Sequence, residues 1–529
     1  MKKFLIISLL MISSIYAKPQ VIEQDSLALV ALYNATNGVN WVFNNHWLME
    51  TWPVSYWAGV EIENGRVVEL NLHSNNLEGS IPTEIGDLDS LSVLDISNNM
   101  INSIPASIGN LKTLETLDMS VCSINSLPPE IGGLSDLKYF DIHNTQIATL
   151  PEEIGNLSKL EYLYGWNGVI QGLPESIGNM TSLKEINLAV NNISNLPSSV
   201  GNCTNLIRLQ LNANKIPEVP IEIGNLEKLE YLILGGNNIG VLPNEIFNLT
   251  LLKYLNFAAN GLDTFPSLIG NLTHLENLQF FSNNFTYIPE EIGNCINLEY
   301  INGYGNNIDS LPLTLLNLPN VGTLYLAYNS LTFEDIEPLV SIPGFEYRDQ
   351  NSIGTAIDTT VLLDSTYHME IQTGGEFNMY QWNKNGELIE GATDYYLELS
   401  NVTYADSGVY NCEITNSLAT GLTLQSRLIT LHIKDLTSID ELYNNNLISC
   451  SIYPNPSHNK LFIDLLLNEN QSEYEISILN TAGMVVKMCS AKNNPTEIDI
   501  SELNKGVYFL KINDAKNVPI GDLKKIIKL

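Results

Sequence analysis

The stretch "INSIPASIGNLKTLETLDMS", residues 101–120, joins an Ile-Pro pair, an Ile-Gly-Asn-Leu segment and an L-x-x-L-x-L pattern. Closely similar stretches return along the chain, which indicates a repeated structural unit. Prolines that follow an aliphatic residue or Phe recur every 23 residues, at Pro82, Pro105, Pro128, Pro151, Pro174, Pro197, Pro220, Pro243, Pro266, Pro289 and Pro312. This constant step predicts a solenoid whose units bury their apolar faces against one another.

Other positions follow the same step. Aliphatic residues or Phe recur in the column from Leu94 to Leu324, and we expect them to form the core. A polar column contains Asn99, Asn191, Asn214, Asn237, Asn260, Asn283, Asn306 and Asn329. Asn side chains can bond the backbone of a turn and bridge neighbouring units. Cys122, Thr145 and Gly168 interrupt the column; Cys and Thr can partly replace Asn, whereas Gly cannot.

The pattern L-x-x-L-x-L-x-x-N resembles the leucine-rich repeat family. The resemblance implies an α/β solenoid, a horseshoe with a parallel sheet on its concave side and the IGNL segments on its convex side. About 12 rungs fall in residues 66–331, with caps at 18–65 and 332–349. The first cap is similar to those of plant repeat proteins. We expect Trp41, Trp47, Trp52 and Trp57 to fill it, although an aromatic binding patch is the alternative.

Beyond the repeats the chain is multidomain, and two all-β sandwich domains are expected. Residues 350–434 resemble an immunoglobulin-like domain, because Trp382 matches the core Trp and Asp406-x-Gly408-x-Tyr410-x-Cys412 matches the tyrosine corner and second Cys. The first Cys of that family is missing here. Cys412 is therefore predicted to be a buried free thiol, and few or no disulfides are expected among the six Cys.

After a linker at 435–450, residues 451–529 resemble the C-terminal sorting domain of type IX secretion in Bacteroidetes-type bacteria. The matching residues are Tyr453, Pro454, Asn455, Pro456, Gly506 and Tyr508. The resemblance implies a small β-sandwich read by the type IX secretion machinery and often cleaved. The alternative is an ordinary C-terminal β-domain.

The N-terminus predicts export. Lys2 and Lys3 precede an apolar run at 4–16 that is too short to span a bilayer comfortably, so residues 1–17 are interpreted as a signal peptide. We expect no transmembrane segment, and a protein that is secreted or attached to the outer cell surface. The net charge of −34 argues against a nucleic-acid partner.

Catalysis is not expected, because the chain has no G-x-S-x-G, H-E-x-x-H, P-loop or G-x-G-x-x-G motif, and no His stands at metal-ligand spacing from a Cys or another His. We expect no cofactor and no resident metal. Asp95, Asp118 and Asp141 stack in one column. A bound cation or a basic partner could compensate them, but a solvated acidic stripe is the favoured interpretation.

The concave face carries the candidate binding residues, and most of them are aromatic. They are Tyr139, His143, Tyr162, Tyr164, Trp166, Tyr231, Tyr254, Phe281, Tyr300, Tyr304 and Tyr325, with Tyr328 at the edge. Exposed Tyr and Trp suit ligand recognition, but Tyr also favours strands and stacks along a ladder, so both interpretations stay open.

Two rungs depart from the pattern. Gly165 and Gly303 replace inward aliphatic residues, which suggests a bulge or a rotated strand. Trp166 and Tyr304 follow them directly. Either the kink presents these two rings to a ligand, or the rings fill the gap.

These features predict a non-catalytic recognition or adhesion protein that binds a protein or glycan on its concave face. One alternative is a polysaccharide-capture or accessory subunit of a surface enzyme system. The other is a structural component of a surface layer.

Overall fold

The computed structural model describes residues 21–435, 447–455, 457–467, 474–491, 495–513 and 523–529. The proposed signal peptide, most of the linker and Pro456 of the sorting motif lie outside the described residues.

A 14-stranded sheet forms the backbone of the repeat region. Its strands follow chain order; only the first pair is antiparallel, and neighbouring parallel strands align in register, as Asp118 does with Asp141. The strands up to residue 346 are β1 (Val60–Glu63), β2 (Arg66–Asn71), β3 (Glu78–Ser80), β4 (Val93–Asp95), β5 (Met100–Ser103), β6 (Thr116–Asp118), β7 (Tyr139–Asp141), β8 (Tyr162–Tyr164), β9 (Glu185–Asn187), β10 (Arg208–Gln210), β11 (Tyr231–Ile233), β12 (Tyr254–Asn256), β13 (Asn277–Gln279), β14 (Tyr300–Asn302), β15 (Thr323–Tyr325) and β16 (Phe345–Glu346). Strands β3 and β5 pair separately.

The repeated prolines each stand directly before a short 3₁₀ helix on the side away from the sheet. These helices are Thr83–Asp87, Ala106–Asn110, Pro129–Gly133, Glu152–Asn156, Glu175–Asn179, Ser198–Asn202, Ile221–Asn225, Asn244–Asn248, Ser267–Asn271, Glu290–Asn294 and Leu313–Asn317. The Gly of the IGN segment permits close stacking: a Cβ on Gly109 would lie 2.2 Å from the carbonyl oxygen of Glu130 in the next rung. Thus the IGNL segments form the convex turns that the resemblance implied.

The buried Asn column joins the rungs, as the sequence predicts. The Nδ2 of Asn191 donates to the carbonyl of Gly165 in the preceding rung at 2.7 Å and to two carbonyls of its own rung at 3.1 and 3.2 Å. At the Asn position of its rung, Cys122 keeps the bond to the preceding rung, because its Sγ lies 3.3 Å from the Ile96 carbonyl oxygen. Thr145 replaces only a bond within its own rung, at 2.7 Å. The predicted partial substitution of Asn by Cys and Thr is therefore confirmed.

A helix, α1 (Glu23–Ala35), begins the first cap. Its buried Asp25 accepts hydrogen bonds from the Arg66 guanidinium at 3.0 Å and from the Val67 N–H at 2.8 Å. A buried charge is tolerated when it is paired and hydrogen-bonded. This contact attaches the helix to the first parallel strand of the sheet.

Three of the four cap tryptophans are buried: Trp41, Trp47 and Trp57. The expectation that Trp52 also fills the cap is wrong. Trp52 is 41% exposed and lies against the ring of His46 instead, with 4.0 Å between ring centroids.

Residues 357–434 form a six-stranded sheet and a separate two-stranded sheet. Their strands are β17 (Ile357–Leu362), β18 (Tyr367–Glu370), β19 (Asn378–Lys384), β20 (Glu387–Leu388), β21 (Tyr396–Leu399), β22 (Gly408–Asn416), β23 (Thr423–Gln425) and β24 (Ile429–Lys434). Buried Trp382 pairs with Cys412 across β19 and β22, and the Tyr410 hydroxyl donates to the carbonyl of Asp406 at 2.8 Å. All six Cys are free, and Cys412 is buried.

A helix at the end of the repeats, α2 (Phe333–Ile336), leads into a polar junction with this β region. The Glu337 carboxylate accepts hydrogen bonds from the N–H groups of Glu376 and Phe377 at 3.1 and 3.2 Å. It also accepts one from the Asn416 side-chain amide at 2.5 Å. Buried apolar residues continue from the repeats into the β region as one cluster, so the two share a core.

The last region is β-rich, with one three-stranded and one four-stranded sheet. Its strands are β25 (Leu447–Tyr453), β26 (Lys460–Leu467), β27 (Tyr474–Leu479), β28 (Val485–Ala491), β29 (Thr496–Asp499), β30 (Gly506–Asn513) and β31 (Lys524–Lys528). Asn455 lies two residues after the end of β25. Its side chain donates to the carbonyl of Lys525 at 2.8 Å and accepts from the N–H of Ile527 at 2.9 Å, which ties this segment to the last strand.

Candidate functional site

The concave face consists of the side chains that alternate with core residues along each strand. In the strand around β7, Phe140 and Ile142 are buried in the core, whereas Tyr139, Asp141 and His143 lie on the opposite side. The corresponding positions of every rung form the inner face of the sheet. The candidate residues of the sequence analysis fall on it, but they do not form one continuous ladder.

A first aromatic patch (Tyr139, His143, Tyr162, Tyr164 and Trp166) covers β7, β8 and the residues just after them. The ring centroid of Tyr139 is 5.4 Å from that of Tyr164 and 6.5 Å from that of Tyr162. The His143 and Trp166 rings stack with centroids 4.2 Å apart and planes 7° apart.

Asp141 connects the two halves of this patch. Its carboxylate lies 2.8 Å from the His143 Nδ1 and accepts a hydrogen bond from the Tyr139 hydroxyl at 3.2 Å. Burial, reinforced by the charges of Asp141 and Asp118, raises the pKa of the Tyr139 hydroxyl well above its ordinary value. Burial likewise raises the pKa of Tyr164 to about 12. Both phenols therefore remain protonated donors at neutral pH, and Trp166 is left 37% exposed above the imidazole.

The remaining aromatic residues form two smaller groups. In the second aromatic patch, Tyr231 and Tyr254 have centroids 6.4 Å apart, and the Arg208 guanidinium carbon lies 3.8 Å above the Tyr231 ring. The third aromatic patch holds Tyr304 between Tyr325 and Tyr328, at 5.4 and 5.1 Å.

Phe281 and Tyr300 join none of these patches. Both are half-buried, and within the described residues neither makes a ring contact with another aromatic side chain. The face thus offers three separate aromatic surfaces.

The expected distortion at Gly165 and Gly303 is wrong, since both residues keep the regular ladder. The N–H of Gly165 bonds the carbonyl of Asn187, and that of Gly303 bonds the carbonyl of Tyr325, both at 2.9 Å. A Cβ on Gly303 would lie 2.4 Å from the Phe280 ring, so a neighbouring side chain fills the space.

Ile142, Ile170 and Leu188 fill the space at Gly165 in the same way. Trp166 and Tyr304 therefore neither cover a gap nor sit on a kink; both lie on a regular strand extension.

The Asp column is only in part the solvated stripe that the sequence favours, because Asp141 is buried whereas Asp95 and Asp118 are half-buried. Asp141 is only 6% exposed, and the Asp118 carboxylate accepts bonds from the Ser120 N–H at 2.9 Å and hydroxyl at 2.6 Å. Asp95 is bonded by Ser97 in the same way. Burial and the neighbouring carboxylates Asp141 and Asp95 raise the pKa of Asp118, although the Ser120 bonds oppose them. Among the described residues, no group of three or more His, Cys, Asp or Glu side chains is arranged to hold a metal ion.

The sequence analysis overlooked the residues that complete these contacts. Ser97 and Ser120 stand two residues after an Asp, a spacing that allows a side chain to cap its own turn. Arg208 was overlooked because nothing in its local sequence places it above a Tyr of the next rung.

Comparisons with known proteins agree with this architecture. Residues 451–528 match the family described as a secretion system C-terminal sorting domain. Residues 116–210 and 191–285 match a leucine-rich repeat region, and residues 65–124 match a leucine rich repeat. The chain thus contains leucine-rich repeats followed by a sorting domain, and no catalytic family is indicated.

Solved structures similar to the chain are also repeat proteins. A leucine-rich repeat protein of Leptospira interrogans is 30% identical; the match covers 52% of this chain and 76% of that one, with a TM-score of 0.44. The PEPR1–AtPEP1 complex is 27% identical over 63% of this chain, with a TM-score of 0.55, and the match spans about half (49%) of that chain. A leucine-rich repeat protein of Bacteroides eggerthii is 17% identical over 62% of this chain and 85% of that one, with a TM-score of 0.45.

No curated protein matches the chain. None of the helices in the described ranges has the length and apolar character needed to cross a membrane.

Proposed function

Because the chain is built on leucine-rich repeats and ends in a secretion system C-terminal sorting domain, we propose that it is a non-catalytic recognition protein that binds a protein ligand on its concave face. The sorting domain indicates secretion and attachment to the cell surface. We propose residues 1–17 as the signal peptide that precedes this route.

The first aromatic patch carries the proposal. Trp166 lies on the inner face, remains 37% exposed and is held in one orientation by the parallel His143 ring, 4.2 Å away. Aromatic side chains that are already ordered lose little conformational entropy when a ligand covers them, and Trp and Tyr are enriched among residues that dominate binding energy. The exposed part of the indole is open to a ligand, while His143 packs on one ring face.

The β region at 350–434 is proposed to be an immunoglobulin-like domain that supports or extends the binding face. The contact of Trp382 with the strand of Cys412 and the Tyr410 to Asp406 hydrogen bond support this assignment. Its polar junction with the repeats would hold the horseshoe in a fixed direction relative to the rest of the protein.

Glycan binding is the second candidate, and the same patch favours it. Sugar rings stack on exposed indoles, and their hydroxyls bond carboxylates and imidazoles such as those of Asp141 and His143. Under this alternative the protein would capture polysaccharide or assist a surface enzyme system.

Two parallel screens of the exported chain discriminate these candidates. One screen uses a glycan array, and the other captures proteins from surface extracts, with Trp166→Ala as the specificity control in both. A protein retained by the wild type and lost from the variant supports the proposal. Trp166-dependent glycan signals with no retained protein would favour the second candidate, and insensitivity of both screens to Trp166→Ala would refute a role for this patch.

A further inference from the structure

The two halves of the inner face differ in charge. In the first six rungs its three positions per strand carry five carboxylates and no Lys or Arg: Glu69, Asp95, Asp118, Asp141 and Glu185. In the next six rungs the same positions carry no carboxylate and one cation, Arg208; amides such as Gln210, Asn256 and Asn302 take their place. The face therefore has an acidic half and a neutral half.

Of the five carboxylates, only Glu185 has a Lys or Arg partner in the described part of the chain, namely Arg208 at the boundary between the halves. Among the described residues, no Lys or Arg lies within ion-pair distance of Glu69, Asp95 or Asp118, and Asp141 pairs only with His143. By contrast, edge carboxylates just outside the face are paired across neighbouring rungs, as Glu115 is with Lys138 at 2.8 Å and Glu161 with Lys184 at 2.6 Å. Like charges on adjacent strands are unfavourable unless an opposite charge approaches.

The boundary between the halves shows how this face accommodates a cation. Arg208 places its guanidinium 3.8 Å from the centre of the Tyr231 ring, while its Nε lies 3.6 Å from the Glu185 carboxylate. An aromatic face and a carboxylate thus contact one cationic side chain. The first aromatic patch offers the same two elements, Tyr rings beside Asp118 and Asp141, without a cation of the chain between them.

Building on the recognition role proposed above, we propose that the acidic half of the inner face receives a polypeptide segment of the ligand that carries Lys and Arg side chains. Their cationic groups approach the Asp95–Asp118–Asp141 column, and their aliphatic stems lie on Tyr139, Tyr162 and Trp166. The net charge of −34 adds long-range attraction, which raises the association rate of a basic partner. Specificity comes from the short-range contacts with the column and the rings.

The test uses the exported chain and two synthetic peptides of equal length, one of alternating Arg and Ser and one of alternating Glu and Ser. Binding is measured by fluorescence anisotropy at low and at high salt. The Asp95→Asn/Asp118→Asn variant keeps the oxygens that accept from the two Ser residues and removes two charges. The matched control, Glu276→Gln/Glu299→Gln, removes two exposed carboxylates from the edge of the neutral half.

We expect the wild type to bind the Arg peptide and not the Glu peptide. The affinity for the Arg peptide should be about tenfold or more lower in the Asp double variant and unchanged in the control variant. Equal weakening in both variants would show attraction by net charge only and would overturn the inference, as would no binding of the Arg peptide. A gain-of-function variant, Asn256→Asp/Asn302→Asp, tests the same idea without weakening the acidic half; it should bind the Arg peptide more tightly than the wild type.

The recognition role itself is tested separately. A captured protein that depends on Trp166 but not on the two Asp residues would leave the proposed function in place and remove this inference.

Discussion

His143 and Trp166 stack in parallel across neighbouring rungs, with ring centroids 4.2 Å apart and planes 7° apart. The Asp141 carboxylate lies 2.8 Å from Nδ1 of the same imidazole. The indole is thereby held in one orientation on the inner face of the sheet while 37% of it remains exposed. This relationship turns a repeating scaffold into a candidate binding surface.

The Asp column should limit the stability of the repeats at neutral pH. The pKa of Asp118 is raised in the folded state. The contribution of Asp118 to stability is therefore greatest in acid and is lost as the pH rises through this raised pKa. Asp118→Asn should therefore increase the free energy of unfolding at neutral pH by about 0.2–1 kcal/mol. The gain should shrink towards pH ~4, the ordinary range of the Asp pKa.

Urea unfolding at neutral and acidic pH measures this difference, with Asp263→Asn, an exposed carboxylate away from the column, as the control. A neutral-pH loss of stability in Asp118→Asn would contradict the prediction.

A side chain at Gly303 should destabilise the repeats while Phe280 is present. A Cβ there would lie 2.4 Å from the Phe280 ring, whereas a Cβ on Gly240 would meet no atom within 4 Å. Gly303→Ala should therefore cost about 1–3 kcal/mol of unfolding free energy, as overpacking does, and Gly240→Ala should be nearly neutral. In a Phe280→Leu background the cost of Gly303→Ala should fall. An unchanged cost there would show that the ring is not the cause.

The junction at Glu337 should weaken in acid. Burial alone would raise the pKa of Glu337, but hydrogen bonds from Glu376, Asn416 and Phe377 outweigh it and lower the pKa below the ordinary value. The stabilisation is thus present above the ordinary carboxyl range and is lost as the pH falls through the lowered pKa.

Glu337→Ala should lower the free energy of unfolding by about 1–3 kcal/mol at neutral pH, and less in acid. Differential scanning calorimetry should show the repeats and the β region separating into two transitions. The exposed Glu387→Ala serves as the control. A single, unshifted transition in Glu337→Ala would mean that the junction does not couple the two regions.

Asn455 should hold the last strand in place. Asn455→Ala loses both the bond to the Lys525 carbonyl and the bond from the Ile527 N–H, whereas Asn455→Asp keeps only the second. Amide hydrogen exchange in residues 523–529 should be fastest in the Asn455→Ala variant, intermediate in the Asn455→Asp variant and slowest in the wild type. Each lost bond is worth about 0.5–1.5 kcal/mol. Identical exchange in all three proteins would remove this role of the sorting motif.

The period of 23 residues predicts much of the repeat region, because every rung repeats the same backbone hydrogen bonds. The Pro positions, the Asn column and the Cys122 and Thr145 replacements follow from the chemistry of single residues. The side chain that fills the space at a Gly cannot be predicted in this way. Whether Gly303 bends the strand depends on the rotamer of Phe280, a residue of the preceding rung.

The candidate site was predicted only in outline. The list of aromatic residues placed them on one face, but ring contacts depend on side-chain torsions, which separate them into three patches and leave Phe281 and Tyr300 apart. The junction between Glu337 and Asn416 joins residues 79 positions apart and has no local signature. Whether the patches bind a ligand stays a prediction.

The central claim, that the inner face binds the ligand through its exposed rings, is tested most directly by ligand capture on matched variants. The test pair is Trp166→Ala/Tyr304→Ala on the face, and the control pair is Trp52→Ala/Tyr287→Ala, which removes one exposed Trp and one exposed Tyr elsewhere. We expect the face variant to raise the dissociation constant at least about tenfold, because it removes dominant contact residues, whereas the control variant should bind with the affinity of the wild type. Equal affinity of both variants and the wild type would contradict it.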